Sequence, residues 1–365
     1  MQTPAVVFES VGRVSARPIE MPPPGPGQVQ IRTRYSTISP GTEGWCLLNQ
    51  FTWQPTIYPG VPGYQRTGEI IALGEGVDGW KVGDICMATV GSWEGEVVPF
   101  WGAHAGVINT VSTELFRIPD GADELDASGC VVAQVGYNAA SRVVLRDCER
   151  SLEPSRHCER SLEREAISCA TEGIASSQTT RNDEADWVVV FGDGIIGQSA
   201  AQAARARGAR VIVAGHRQKR LDLAVAMGAE AAFDSAEDGF LDRVREITGE
   251  HVTAVIDTIQ TEAAQDQYMP LLEYAKGQVV YSGFTPGKVW ADMGALQRKE
   301  LTAHFVAGWT RPRMESTLAL MAEKKMRVRP LVTHLVPWSE GPAMFEMILR
   351  KEKTFMAITL DWTGV

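Results

Sequence analysis

The sequence predicts an α/β protein: a β-rich domain first, then a doubly wound parallel sheet, then a short mixed tail. Three observations carry that prediction. The first 130 residues are short apolar runs broken by Gly/Pro turns such as PPPGPG and YPGVPG. From Trp187 onward, apolar strands alternate with helical segments, the pattern of parallel β-α-β units. The run WVVVFG at 187–192 is apolar throughout and ends in glycine, as expected of a strand buried on both faces.

In chain order, AVVF (5–8), QVQIRTRYS (28–36), TGEIIALG (67–74) and GVINTVS (106–112) read as strands. After Asp126, ASGCVVAQVGYNAASRVVL reads as one apolar helix. Beyond WVVVFG come a small-residue helix, IIGQSAAQAARARG, the strand ARVIVAG (209–215) and the helix LDLAVAMGA (221–229). AVIDTI (254–259) and GQVVYSGF (277–284) read as further strands. The tail offers an amphipathic helix at 315–324, a strand near LVTHLVP, a helix at 339–350 and a last strand, FMAITL.

Composition narrows the function classes. A chain of 365 residues suggests two domains. A net charge of −10 argues against nucleic acid as a partner, because phosphate affinity comes from clustered Lys and Arg. No apolar run reaches the roughly 18 residues that span a bilayer. The start, MQTPAVVFESVGR, lacks a signal peptide's basic region and apolar core. Six scattered cysteines do not resemble a secreted disulfide framework. The expectation is a cytoplasmic protein with a small-molecule substrate, no nucleic acid and no membrane.

GDGIIG sets Gly192, Gly194 and Gly197 in a G-x-G-x-x-G pattern between a buried strand and a helix opened by Ile195 and Ile196. Gly192 permits the tight turn, Gly194 admits a pyrophosphate, and Gly197 lets helix and strand pack closely. The helix start adds free N–H groups and a positive dipole end. At the end of the next strand an Asp or Glu would favour NAD. This chain has Gly215, His216 and Arg217, followed by Lys219 and Arg220, with no carboxylate among them. Cations there pair with a 2′-phosphate, so the expected cofactor is NADP(H).

These segments, with PGPGQVQIRTRYSTISPGTE, VPGYQRTGEIIALGEGVDGWKVGD, MGAEAAFDS and VIDTI, resemble the medium-chain dehydrogenase/reductase superfamily of zinc alcohol dehydrogenases and quinone reductases. The resemblance implies a GroES-like catalytic domain (1–135), a Rossmann domain (136–307) and a C-terminal return to the catalytic domain (308–365), with the cofactor in the cleft between. It also implies a homodimer or homotetramer through an edge of the Rossmann sheet, for which GQVVYSGF is the candidate strand. The ISPGTE and PGYQ spellings are similar to ISTGTE and PGYE runs of the bacteriochlorophyllide dehydrogenase branch.

Zinc-bearing relatives carry Cys-Gly-Thr/Ser-Asp and Gly-His-Glu. Here Ser39-Pro40-Gly41-Thr42-Glu43 and Gly63-Tyr64-Gln65 stand in their places. Hydroxyls and proline are poor zinc donors. Cys46 and Cys130 fall near ligand positions but not on them, and Cys86 alone cannot form the structural zinc lobe. The resemblance therefore implies a zinc-independent member with no metal. Polarising a carbonyl then requires hydrogen-bond donors. Tyr64 at the vacated ligand position is the leading donor, Thr42 and Glu43 a relay, and His104 a second acid. Trp45, Trp53, Trp93 and Trp101 fall where the family arrangement surrounds the cleft, which suits a bulky or aromatic substrate. The expected activity interconverts a carbonyl and an alcohol. Reduction of a quinone or enone, and a non-catalytic NADPH-binding protein, stay open as alternatives.

One stretch stands apart. Cys-Glu-Arg-Ser-Leu occurs at 148–152 and again at 158–162. Removing 147–181 would leave an ordinary helix-to-strand connection, so the segment reads as an inserted surface decoration and resembles a translated bacterial repetitive element. Its donors Cys148, His157, Cys158 and Cys169 match no common zinc spacing.

Overall fold

The computed structural model describes residues 1–145, 186–249, 251–283 and 285–365. The 147–181 segment, with its four donors, lies outside the described residues.

The N-terminal strands are β1 (Gln2–Ser10), β2 (Arg13–Glu20), β3 (Gln28–Ile38), β4 (Gly60–Val61) and β5 (Arg66–Leu73). They are followed by β6 (Ile85–Ala88), β7 (Val98–Pro99), β8 (Val107–Val111) and β9 (Leu115–Arg117). A four-stranded sheet has the order β2-β1-β4-β7. β3 pairs with both β5 and β8 and carries register shifts at Gln30/Ile31 and Thr33/Tyr35, which bend it. The enclosed core contains Val7, Ile31, Ile70, Trp93 and Ile108. β2 follows β1 through a tight turn at Gly12 (φ +71°), and its charged sequence, RVSARPIE, concealed it from the hydrophobic pattern.

The single apolar helix expected after Asp126 is two. α2 (Glu124–Ser128) is capped by Asp123, whose carboxylate accepts from the N–H of Leu125 and Asp126. α3 (Cys130–Arg142) starts after Gly129, where a Cβ would sit 2.7 Å from Val328 Cγ1.

The second sheet is wholly parallel. β10 (Trp187–Phe191), β11 (Arg210–Gly215), β12 (Ala231–Asp234), β13 (Val252–Asp257), β14 (Gln278–Ser282) and β15 (Thr302–Val306) lie in the order β12-β11-β10-β13-β14-β15. Alternate residues of β10 serve opposite cores. Val188 and Val190 pack with α3 and the helix Ile195–Ala206; Trp187, Val189 and Phe191 pack with Phe240, Val244 and Tyr268. Each such buried side chain stabilises by about 1.5–3 kcal/mol, which explains why this strand is apolar on both faces. The chain leaves β10 towards β11 on one side and resumes at β13 on the other. The carboxyl end of β10 is therefore a switch point, the place where such sheets open a crevice.

The edge of this sheet is β15, not GQVVYSGF: β14 is interior, with β13 and β15 on its flanks. TAHFV gave little hydrophobic signal, and Phe305 on it is exposed and stacked on Tyr281. The expected helix at 315–324 begins earlier, at Arg311, because Pro312 fits a first turn that needs no N–H. β16 (Val332–Pro337) and β17 (Ala357–Asp361) then join the first part of the chain. β17 runs antiparallel to β3, Ile358 opposite Ile38, and completes a sheet ordered β16-β17-β3-β5-β6-β9.

Candidate active site

A cleft of about 750 Å³ opens at the β10 switch point. The Gly192–Gly197 loop, Gly215 to Arg217, Thr258 and Ile259 form one wall. Pro40, Gly41, Gly44 and Trp45 of α1 (Pro40–Leu47) face it, and Ile348, Phe355 and Met356 close one side.

The three glycines have three different surroundings. Gly192 sits at φ +115°, and a Cβ there would collide with the Thr258 hydroxyl. A Cβ on Gly197 would collide with the Gly192 carbonyl, so the helix could not close onto the turn. A Cβ on Gly194 would meet nothing within 4 Å. Steric need explains Gly192 and Gly197 within the fold; Gly194 leaves open space at a helix N-terminus, which fits a dinucleotide pyrophosphate. Ile195 and Ile196 open that helix.

The expectation of a carboxylate-free ribose end is corrected. Asp193, inside the glycine loop and almost wholly buried, points at the end of β11. Its Oδ2 accepts from the N–H of His216 and of Arg217, both at 2.9 Å. Its Oδ1 accepts from Arg217 Nη1 at 3.0 Å and from Arg220 Nη1 at 3.2 Å. Two guanidiniums on one carboxylate leave a formal surplus of one positive charge. Burial, then the neighbouring Arg217, lowers the Arg220 pKa from its usual value. Arg220 Nη2 also donates to the Phe355 carbonyl, joining the nucleotide half to the C-terminal segment. Arg217 remains 41 % exposed and can turn free N–H groups to a ligand. His216 instead pairs with Asp234 at 3.0 Å.

The catalytic candidates lie behind the α1 wall. Glu43 and His104 are fully buried. Glu43 Oε1 accepts from the Ser39 N–H and Oε2 pairs with His104 Nε2, both at 2.8 Å. His104 Nδ1 lies 2.8 Å from Ser36 Oγ, which also accepts from the Trp362 indole N–H at 2.9 Å. Gly63, at φ +89°, lies flat on the imidazole: a Cβ there would be 2.6 Å from the ring. His104 thus fixes the segment leading into Tyr64 and does not itself reach the cleft.

Tyr64 is 7 % exposed, stacked on Trp309 (5.7 Å) and edge-on to Trp101 (5.2 Å). Burial, and next the Glu43 charge, push its hydroxyl above the usual tyrosine range; hydrogen bonding with Ser39 and Thr42 opposes them. Thr42 is half-buried and Ser39 buried, both at the start of α1. Gln65, the third residue of the triplet, donates to the Thr37 carbonyl and accepts from the Val132 N–H, a structural tie.

Of the tryptophans, Trp45 lines the cleft and Trp101 packs on Tyr64. Trp53 is 60 % exposed and contacts Phe51 outside the cleft lining. Trp93 is corrected from cleft to core: it donates to the Val97 carbonyl at 2.9 Å within the β-rich domain. Asp193, Trp309, Thr258, Ile348 and Phe355 were not foreseen. Only Asp193 carried a nearby signal, its place within the glycine pattern.

The residues do not fit a zinc ion. Ser39 and Tyr64, poor zinc donors, stand at the ligand positions that the resemblance implies. Among the described residues no three His, Cys, Asp or Glu side chains converge as a metal site.

Comparison with known proteins gives the same outline. Residues 196–323 match the family described as zinc-binding dehydrogenase. A sorbitol dehydrogenase of Halalkalibacterium halodurans is 29 % identical over 346 residues, 93 % of each chain. The 2R,3R-butanediol dehydrogenase structure from Bacillus subtilis superposes with a TM-score of 0.76 at 19 % identity, covering 98 % of this chain and 99 % of that one. A Sinorhizobium meliloti structure assigned as a zinc-binding dehydrogenase and bound to NADP reaches 0.75 at 19 % identity, covering 99 % of both chains.

Proposed function

The chain belongs to the medium-chain dehydrogenase/reductase superfamily, and from that premise we propose an NADP(H)-dependent, zinc-independent oxidoreductase that interconverts a carbonyl and an alcohol on a bulky or aromatic substrate. The observation that carries this reading is the charge surplus at the glycine loop. Arg217 and Arg220 bracket Asp193, whose hydrogen bonds go to the protein and leave it unavailable to a ribose diol.

A bound dinucleotide supplies the hydride. Gly194 leaves room for the pyrophosphate, the first turn of the helix Ile195–Ala206 offers N–H groups, and Arg217 offers a guanidinium to a 2′-phosphate. Tyr64 holds a proton at Oη, with Thr42 and Ser39 as the adjoining hydroxyls. Trp45, Ile348 and Phe355 give the cleft an apolar wall that excludes water, and Trp101 and Trp309 hold the Tyr64 ring. The sorbitol and butanediol dehydrogenases among the relatives support an alcohol–carbonyl pair. We also assign the protein to the cytoplasm and to a homodimer or homotetramer, with the exposed Phe305 on the β15 edge as the candidate contact.

The test combines NADP⁺ and NAD⁺ titrations by fluorescence quenching, metal analysis of the full chain and a panel of aldehydes, ketones, enones and quinones. Tighter NADP⁺ binding, no stoichiometric zinc and an alcohol product are expected. Tighter NAD⁺ binding overturns the cofactor assignment, and one zinc per chain overturns the metal-free one. A saturated ketone or hydroquinone as product would reassign the chemistry, and binding without turnover would leave a non-catalytic nucleotide-binding protein.

A further inference from the structure

The cleft at the glycine loop carries charge on two walls. On the nucleotide side stand Arg217 and Arg220, with Asp193 between them. On the other side the chain leaves the helix Gly341–Leu349 and runs through residues 350–356 into β17. Lys351, Glu352, Phe355 and Met356 of this segment line the cleft. Contacts at its two ends fix where the segment lies. Lys351 makes the left-handed turn that ends the helix, at φ +54°. Its N–H donates to the Ile348 carbonyl at 3.0 Å, and the Glu352 N–H donates to the Met347 carbonyl at 3.1 Å. Four residues on, the Phe355 carbonyl accepts from Arg220 Nη2. The segment is thereby tied to the guanidinium that shares Asp193 with Arg217, beside the end of β11, where the adenosine ribose of a dinucleotide belongs.

Arg217 and Arg220 are both engaged with Asp193. Lys351 is exposed and forms no ion pair among the described residues. Its neighbour Glu352 lies 3.8 Å from Arg350 Nη1 instead. The cleft therefore holds one cationic side chain whose donors are uncommitted, on the wall opposite Arg217. A guanidinium takes two oxygens of a phosphate side by side. A third oxygen is left over, and a compact ammonium on a flexible stem suits it. An unphosphorylated ribose presents no net charge and gives such a lysine nothing to leave water for.

We propose that Lys351 is a specificity-determining residue for the cofactor: its ammonium meets the 2′-phosphate of NADP(H) from the C-terminal wall, opposite Arg217. Arg220 is the positioning residue that brings the Lys351–Phe355 segment there. The inference rests on the NADP(H) reading. The phosphate is then held by both halves of the chain, and the segment that supplies Phe355 and Met356 to the apolar wall also takes part in choosing the cofactor.

Calorimetric titrations of the full chain with NADP⁺, NAD⁺, 2′,5′-ADP and 5′-AMP test it. Two variants remove the ammonium: K351M, and K351G, whose glycine suits the left-handed backbone and keeps the turn. Both are expected to weaken NADP⁺ and 2′,5′-ADP about fivefold and to leave NAD⁺ and 5′-AMP unchanged. K351R should keep most of the affinity. K353M, which removes a lysine outside the cleft lining, should change little. In an R220M background, which frees the segment, K351M should cost less than it does in wild type. Unchanged NADP⁺ affinity in K351M and K351G overturns the proposal. So does an equal loss for NADP⁺ and NAD⁺, which would put the lysine on the pyrophosphate, or a K353M loss as large as that of K351M. An undiminished K351M effect in R220M overturns the part given to Arg220. A wild type that prefers NAD⁺ removes the cofactor reading and this inference with it; a wild-type NADP⁺ preference that K351M retains removes this inference alone.

Discussion

Asp193, in the loop after β10, and Glu43, in the first turn of α1, are both buried carboxylates, and the protein treats them in opposite ways. Asp193 receives two guanidiniums and two backbone N–H groups, so its charge is more than cancelled. Glu43 is held by one imidazole and one backbone N–H. The first arrangement leaves a cationic rim suited to a phosphate; the second ties the start of α1 to His104. Burial alone does not tell what a carboxylate is for. The charge of its partners does.

Four substitutions would break or sharpen this contrast. Tyr64→Phe has the largest expected effect, a fall in kcat of about 100-fold with NADP⁺ affinity unchanged, measured by steady-state kinetics and cofactor titration. An unchanged kcat in Tyr64→Phe would show that Tyr64 is not the proton donor. Asp193→Ala is expected to cost about 2 kcal/mol of stability in chemical denaturation, because it strands two guanidiniums and two N–H groups. Arg217→Ala should weaken NADP⁺ binding roughly tenfold and leave NAD⁺ unchanged, the loss of one charge-assisted contact. An equal loss for both cofactors would show that Arg217 reads no 2′-phosphate. Asp123→Ala is the smallest, about 1 kcal/mol for a lost N-cap. Burial opposes ionisation of Asp123, but the Arg329 guanidinium and the N–H groups of Asp126 and Leu125 outweigh it and hold its pKa below the usual value. Its contribution is therefore full at neutral pH and lost as pH falls through the acid range, so the mutant should differ least from wild type there.

The nucleotide half was largely legible in sequence, since its glycines follow steric rules tied to local spacing, and β10 announces itself as a run of apolar residues. Asp193 escaped because the pattern leaves its middle position free; its role appears only when β11 is laid alongside β10. In the β-rich half, the candidate donors were legible in residue identity and less so in arrangement. Tyr64, Glu43 and His104 were all singled out, but Ser36 and Trp362, which complete the donor chain, are unremarkable in sequence and meet only because β17 lies beside β3. Strands β2 and β15 were missed for a different reason: RVSARPIE and TAHFV lie at sheet edges, where one-sided burial weakens the hydrophobic signal.

The seam between β3 and β17 has a consequence for how the molecule is made. Trp362 and Ser36 are 326 positions apart, and the donor chain cannot exist until both have been synthesised. At translation rates of 5–20 residues per second, the two are separated by roughly 15 to 65 s. Once β5 and β8 have emerged, β3 still has an open flank until β17 is made, and the buried Glu43–His104 pair lacks the indole that completes its hydrogen-bond chain. The nascent chain can complete its parallel sheet first, because every strand of that sheet precedes β16. Nucleotide binding is thus expected to mature before catalysis as the chain emerges.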